Sequence, residues 1–308
     1  MDPADSLQEK LDAKKIVIMD GGTGTEISRR GVTLQTGCSW SANANIAFPD
    51  LLRDIHRDYI LAGAEIITTN TFSTSRDILK REGLSEQTDQ INKQSVRLAM
   101  DARKHCAAEE TITIAGSIGA ANTGTPEIIH SKALKNYQEQ VQILAEAGVE
   151  LIILEMFTRT ADLKAAVEAT TETGLSIWVG LSCIDHDGQL QLGLRDNPKG
   201  ESIADAVMVS SSPHVKAFCI MHSPPQVTAA ALRELRNSTS LPIGAYAHGA
   251  STGSRVVGQP LDETDPQTYL EYAHEWIACG ATIIGGCCGT TPEHIQVLTA
   301  SDLRHANH

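Results

Sequence analysis

No stretch of this chain approaches the roughly 20 consecutive apolar residues that a membrane-spanning helix needs, so no membrane partner is expected. Basic residues are scarce beside acidic ones, 25 Lys and Arg against 38 Asp and Glu, for a formal charge of −13. That shortage argues against nucleic acid and anionic lipid as partners, because both demand positive surface. Regular cysteine spacing is also missing. The seven cysteines, at 38, 106, 183, 219, 279, 287 and 288, are odd in number, which argues against a disulfide framework and for a reducing compartment. Met1 to Lys15 carry four acids and lack the apolar core of a secretory leader, so a cytoplasmic location is expected. Nowhere in the 308 residues does a Pro- or Ser-rich linker or a shift of composition mark a domain boundary.

What is present is a rhythm. Short β-prone runs recur at 16–20, 64–70, 112–117, 150–156, 176–183, 215–222, 242–248 and 281–288, each followed by an amphipathic stretch. Most are continuous apolar runs, as expected of parallel strands buried on both faces. Helical patterns such as 49–61 and 136–146 lie between them, and glycines 63, 148 and 280 stand where a helix stops before the next strand. From Asp20 to Cys288 there are seven steps in 268 residues, about 38 each, against about 31 in a minimal eight-unit barrel. The expected fold is α/β, a single (β/α)8 TIM-type barrel over residues 15–305, with residues 1–14 as an N-terminal extension and insertions in its loops. An open doubly wound sheet is the weaker alternative. Gly21-Gly22-Thr23-Gly24-Thr25-Glu26-Ile27 follows the first strand, but Ile27 stands where a dinucleotide fingerprint needs its last glycine.

In a barrel the catalytic groups sit at the C-terminal ends of the strands. Those ends read Asp20, Asn70-Thr71, Ser117, Glu155, Ser182, His222, His248 and Cys287-Cys288, and nearly all are polar. The last strand runs into Gly285-Gly286-Cys287-Cys288-Gly289-Thr290-Thr291-Pro292-Glu293, a turn with two thiols followed by the cap, proline and acid of a helix start. Adjacent cysteines rarely bridge each other, but flanking glycines let them converge on one metal ion. With one donor from the sixth strand they would leave a tetrahedral zinc position open, which is the catalytic pattern. His222 closes that strand; Cys219, three residues deeper, is expected on the opposite face. Glu155 ends an apolar strand and must be paired or bind a cation, since burying it alone is costly. Asp20 is its candidate partner for a substrate ammonium, and amides at the glycine-rich first loop could receive a carboxylate.

These stretches resemble the homocysteine S-methyltransferase family. The resemblance is carried by Met19-Asp20-Gly21-Gly22-Thr23-Gly24-Thr25-Glu26, Trp40-Ser41-Ala42, His56 and Tyr59, Thr69-Asn70-Thr71-Phe72, Gly116-Ser117-Ile118-Gly119, Leu154-Glu155-Met156 and the double-cysteine turn. It implies a Zn2+ cofactor held by Cys287, Cys288 and one cysteine closing the sixth strand. It also implies that homocysteine lies among Asp20, Gly21, Gly22, Thr23, Asn70, Thr71, Ser117 and Glu155, and that a methyl donor such as S-methylmethionine, S-adenosylmethionine or betaine is the second partner. The chain departs from the family pattern twice. His222 stands where the family's sixth strand carries its ligand cysteine, and Ala247-His248 replaces a Pro-Asn pair. Imidazole is a good zinc ligand, so His222, Cys287 and Cys288 are the expected metal set, with Cys219 the alternative third ligand if the sixth strand slipped by three residues. A different thiol acceptor, a metal-dependent hydrolase with Glu155 or His248 as base, and a non-catalytic thiol-binding paralogue stay open at this point. So does the number of subunits, because helix faces used inside a barrel resemble those used in an interface.

Overall fold

A strand that is apolar on both faces must be covered twice, and the chain achieves this by closing one sheet on itself. The computed structural model describes residues 3–32, 41–120, 130–194, 197–249 and 264–305. Eight parallel strands form the wall: β1 (Val17–Ile18), β2 (Ile66–Thr68), β3 (Thr113–Gly119), β4 (Leu151–Phe157), β5 (Ser176–Leu181), β6 (Val215–Met221), β7 (Ile243–Tyr246) and β8 (Ala281–Ile284). They are hydrogen-bonded in the order β1-β8-β7-β6-β5-β4-β3-β2. A parallel bridge between Met19 and Ile66 joins the two ends, giving the expected (β/α)8 barrel. All eight expected strand runs are strands, and the helical patterns become helices Pro49–Leu61 and His130–Ala147.

Alternation divides each strand between two cores. On β4, Leu151 and Ile153 point into the barrel while Ile152 and Leu154 face the surrounding helices. On β6 the inward residues are Ala217, Cys219 and Met221, and the outward ones Phe218 and Ile220. Glycines 63, 148 and 280 do stop helices, with φ of +99°, +94° and +92°, a left-handed conformation that costs glycine nothing.

One of the expected loop insertions carries strands of its own. After β5 the chain forms an antiparallel hairpin, Cys183–His186 with Gln189–Leu194. Its turn residues Asp187 and Gly188 both have positive φ, as the Asp-Gly dipeptide favours in a tight hairpin. The N-terminal segment folds as helix Pro3–Asp12, whose Leu7 and Leu11 join the inward cluster with Val17, Ile66 and Leu151. It therefore plugs the end of the barrel away from the rim. Lys10 is ion-paired to Glu65 at the edge of this plug.

The plug and a buried histidine each have a measurable consequence. Leu11→Ala should cost about 2–4 kcal/mol in urea unfolding by leaving a cavity in the barrel floor. His56 is fully buried with neither ring nitrogen hydrogen-bonded among the described residues, and burial lowers its pKa from 6.5 to about 4. The unfolded chain takes up this proton at higher pH than the folded one, so stability is full above pH 6.5 and falls as pH drops toward 4. The total loss is up to about 3 kcal/mol, from 1.36 kcal/mol per pH unit. His56→Leu should flatten that part of the stability–pH curve.

Candidate active site

Most polar ends of the strands converge on one cavity of about 290 Å³ at the C-terminal mouth of the barrel, while Ser182 is fully buried beside it with its hydroxyl donating to the Met221 carbonyl. Of the expected site residues, Asp20, Gly21, Gly22, Thr23, Asn70, Ser117, Glu155, His222, Cys287 and Cys288 line it, and His248 lines it with them. Thr71 does not: it is fully buried, and its hydroxyl donates to the Ser117 carbonyl at 2.7 Å. Asn70 reaches the cavity, but its side chain is committed to the wall. Its amide donates to the Ser41 carbonyl and to Asn45 Oδ1, and its oxygen accepts from Ser41 Oγ.

Sulfur and imidazole meet at one side of this cavity. His222 Nδ1 lies 3.3 Å from Cys287 Sγ and 3.9 Å from Cys288 Sγ. Donor atoms of His222, His248 and Cys288 all fall within 4.8 Å of one another, and the two imidazole centroids are 3.8 Å apart. Two donors 2.0–2.3 Å from one zinc ion at the tetrahedral angle sit about 3.5 Å apart, so this spacing suits such an ion. Among the described residues the mutually close set is therefore His222, His248 and Cys288, and Cys287 reaches it through His222. A hydrogen bond from the Cys287 thiol, aided by His222 and His248, holds Cys288 well below the usual thiol pKa. The same bond, with burial, holds Cys287 well above it.

His222 reaches the cluster through its backbone. Its φ is +48°, left-handed and uncommon for a residue with a side chain, and it breaks the two-residue alternation of β6. Cys219 was expected to face away from His222, but it points into the barrel below Met221, fully buried and outside the cavity lining. Burial raises its thiol pKa far above the ordinary value. Met156, just after Glu155, is likewise left-handed at +62°, and its N–H donates to Met221 Sδ at 3.1 Å.

Two carboxyl groups face the cluster. Asp20 accepts from the Thr68 N–H at 2.7 Å and from the Thr68 hydroxyl at 2.9 Å, yet burial raises its pKa to about 8. Burial likewise raises Glu155 to about 7, against the opposing hydrogen bond from the Ser117 hydroxyl. Without a cation nearby, both are held in or near the neutral state.

Comparison with known proteins decides the family. The model of the homocysteine S-methyltransferase family matches residues 17–301. The chain belongs to this family. The homocysteine S-methyltransferase of Escherichia coli K12 is 29% identical, covering 96% of this chain and 97% of its own. A selenocysteine methyltransferase of Astragalus bisulcatus is 28% identical over 92% of this chain and 91% of its own. Among solved structures, the metallated form of the homocysteine methyltransferase MmuM from Escherichia coli superposes with a TM-score of 0.81 at 28% identity, covering 96% of this chain and 99% of that one.

In this member of the family the first and last loops are locked together by a residue that sequence reasoning passed over. Thr290 donates from its hydroxyl to the Cys287 carbonyl at 2.6 Å, and its side chain and carbonyl both accept from the Gly22 N–H, at 3.1 and 3.2 Å. Tyr59 Oη donates to the same carbonyl at 3.1 Å. Gly286 packs so tightly here that a Cβ would lie 2.1 Å from Thr290 Oγ1. Gly22 therefore spends its amide on the cysteine turn, which leaves Gly21 and Thr23 of the three expected first-loop residues facing the cavity without that bond. Thr68, which fixes Asp20, was also passed over; a threonine at a strand end carries no sequence signal for such a role.

Proposed function

We propose that this methyltransferase is a zinc-dependent enzyme that moves a methyl group from a sulfonium or quaternary ammonium donor, such as S-methylmethionine, S-adenosylmethionine or betaine, to the thiol of homocysteine, giving methionine. The observation that carries this reading is one cavity holding two thiols and two imidazoles on one side and two buried carboxyls on the other. Cys287, Cys288 and His222 would hold the ion, with His248 beside them. A bound zinc supplies an ionised acceptor thiol at neutral pH, where a free one is mostly protonated.

The remaining roles belong to the chain's own groups. Asp20 and Glu155 take the ammonium of the amino acid acceptor, which supplies the counter-charge that burial otherwise denies them. Gly21 and Thr23 lie where its carboxylate would rest. Met19, Met156 and Met221 give the cavity an apolar lining against the aliphatic chain, and its volume is near the lower end of small-ligand sites, about 300 Å³. In the transfer, the acceptor sulfur forms the new S–CH3 bond, the old bond to the donor breaks, and the donor leaves with the electron pair as a neutral thioether or amine. The acceptor's thiol proton passes to solvent.

The test is a zinc determination on purified protein together with a panel of the three donors against homocysteine and selenohomocysteine. One bound zinc and methyl transfer from at least one donor are expected; absence of both sinks the reading. Asp20 and Glu155 must ionise to hold an ammonium, so acceptor affinity should rise as pH goes from about 6 to 8. Asp20→Asn should flatten that rise and weaken binding by about 10-fold, the loss of one charge-assisted hydrogen bond of about 1.5 kcal/mol. Calorimetric titration across this pH range measures both.

His222→Cys adds one negative charge to the donor set. Because thiol nucleophilicity falls with thiol pKa, the parent's acceptor should be the more acidic and the weaker nucleophile. The variant is therefore expected to transfer methyl faster at full zinc occupancy, and a slower one would contradict this charge argument.

A further inference from the structure

We propose that His294 is a positioning residue for the sulfur and imidazole cluster, acting through the two loops that carry Cys288 and His248. It sits in the first turn of helix Pro292–Ala300, 3% exposed, and does not line the cavity. Its ring bonds in two directions. On one side Nδ1 accepts from the Thr291 N–H at 3.2 Å and lies 2.9 Å from the Thr291 hydroxyl. On the other, Nε2 lies 2.8 Å from the Thr264 carbonyl. A carbonyl can only accept, so Nε2 carries the proton, and Nδ1 is free to accept in a neutral ring.

These bonds close a circuit. Thr264 donates its N–H to the Gly249 carbonyl at 2.5 Å, and Gly249 donates its own to the Cys288 carbonyl at 2.8 Å. Gly249 directly follows His248, and Thr291 comes three residues after Cys288. The path from Cys288 through Thr291, His294, Thr264 and Gly249 thus returns to Cys288, passing beside His248 on the way. Tyr269, whose ring meets His294 edge-on at 5.6 Å, reinforces it. Its hydroxyl lies 3.1 Å from the Ala247 carbonyl and 2.8 Å from that of Gly285, one residue before His248 and two before Cys287.

Helix capping alone does not explain this arrangement. Capping needs only the Thr291 side of the ring, and another helix of this chain is capped with an aspartate at the same position, Asp205 with Ser202. The bond to Thr264 is the part a cap does not use. Its effect is to fix the distance between the loop that carries Cys287 and Cys288 and the loop that carries His248, whose ring packs 3.8 Å from that of His222. Groups that orient metal ligands in this indirect way typically change metal affinity by about 10–100-fold when removed.

The proposal rests on the metal reading above, and the test separates the two. His294→Asn keeps an acceptor for the Thr291 N–H but is too short for Thr264; His294→Gln is long enough for Thr264. Zinc affinity is measured by competition with a chromophoric chelator, ligand geometry by the visible spectrum of the cobalt-substituted protein, and thiol reactivity by the rate at which the metal-free protein reacts with a disulfide reagent. His294→Asn is expected to melt near the parent temperature, to bind zinc about 10–100-fold more weakly, to give an altered cobalt spectrum and to react faster at Cys287 and Cys288. His294→Gln should lie closer to the parent in each. A His294→Asn protein that matches the parent in zinc affinity and thiol rate overturns the proposal, as does a Gln variant no better than Asn. If the parent binds no zinc the metal reading fails, while the thiol rates of the metal-free proteins still decide the role of His294.

Discussion

Closure of the sheet is the constraint on which everything else depends. Eight short parallel strands leave no edge once Met19 bridges to Ile66, and the Met19 N–H donates to the Ile284 carbonyl while Asp20 donates to that of Ile66. Every strand then ends on the same rim, so residues far apart in sequence must face one another across a few ångströms. The packing beneath them is apolar and inward, from Leu7 and Leu11 at the floor to Met221 and Tyr246 near the mouth. A close-packed interior transmits displacement instead of absorbing it, so this floor supports the mouth.

The site uses burial against solvation. Asp20 and Glu155 are placed where their charged forms are disfavoured, so a ligand's ammonium is worth more there than in water. The cysteine pair solves a related problem differently. Two half-buried thiols share a hydrogen bond that lowers the pKa of Cys288 and raises that of Cys287, and two imidazoles stand close by. Both arrangements keep ionisable groups out of bulk water, where a bound opposite charge acts more strongly on them. Left-handed backbone at Met156 and His222 belongs to the same pattern, strain held at the mouth by the rigid wall below it.

Much of this was legible in the sequence. Continuous apolar runs gave the parallel strands, glycines 63, 148 and 280 gave their spacing, and the polar strand ends gave the rim. The Gly-Gly-Cys-Cys-Gly turn named the cluster. Where the reading stopped short, the cause was local. Strict alternation put Cys219 and His222 on opposite faces, but one left-handed residue redirects His222, and nothing in Met221-His222-Ser223 announces it. Thr71 looked like a rim residue by position, yet its hydroxyl is spent on the Ser117 carbonyl.

The sequence by itself determined the barrel and the identity of the chemical groups, because periodicity and residue type are local properties that survive any arrangement of the loops. Only the tertiary structure decided which groups meet. That His248 joins His222, that Gly22 spends its amide on Thr290, and that His294 ties Thr291 to Thr264 all depend on ring contacts and hydrogen bonds between loops that follow neighbouring strands. Such bonds follow from the distance between loops, which no residue pattern along the chain encodes.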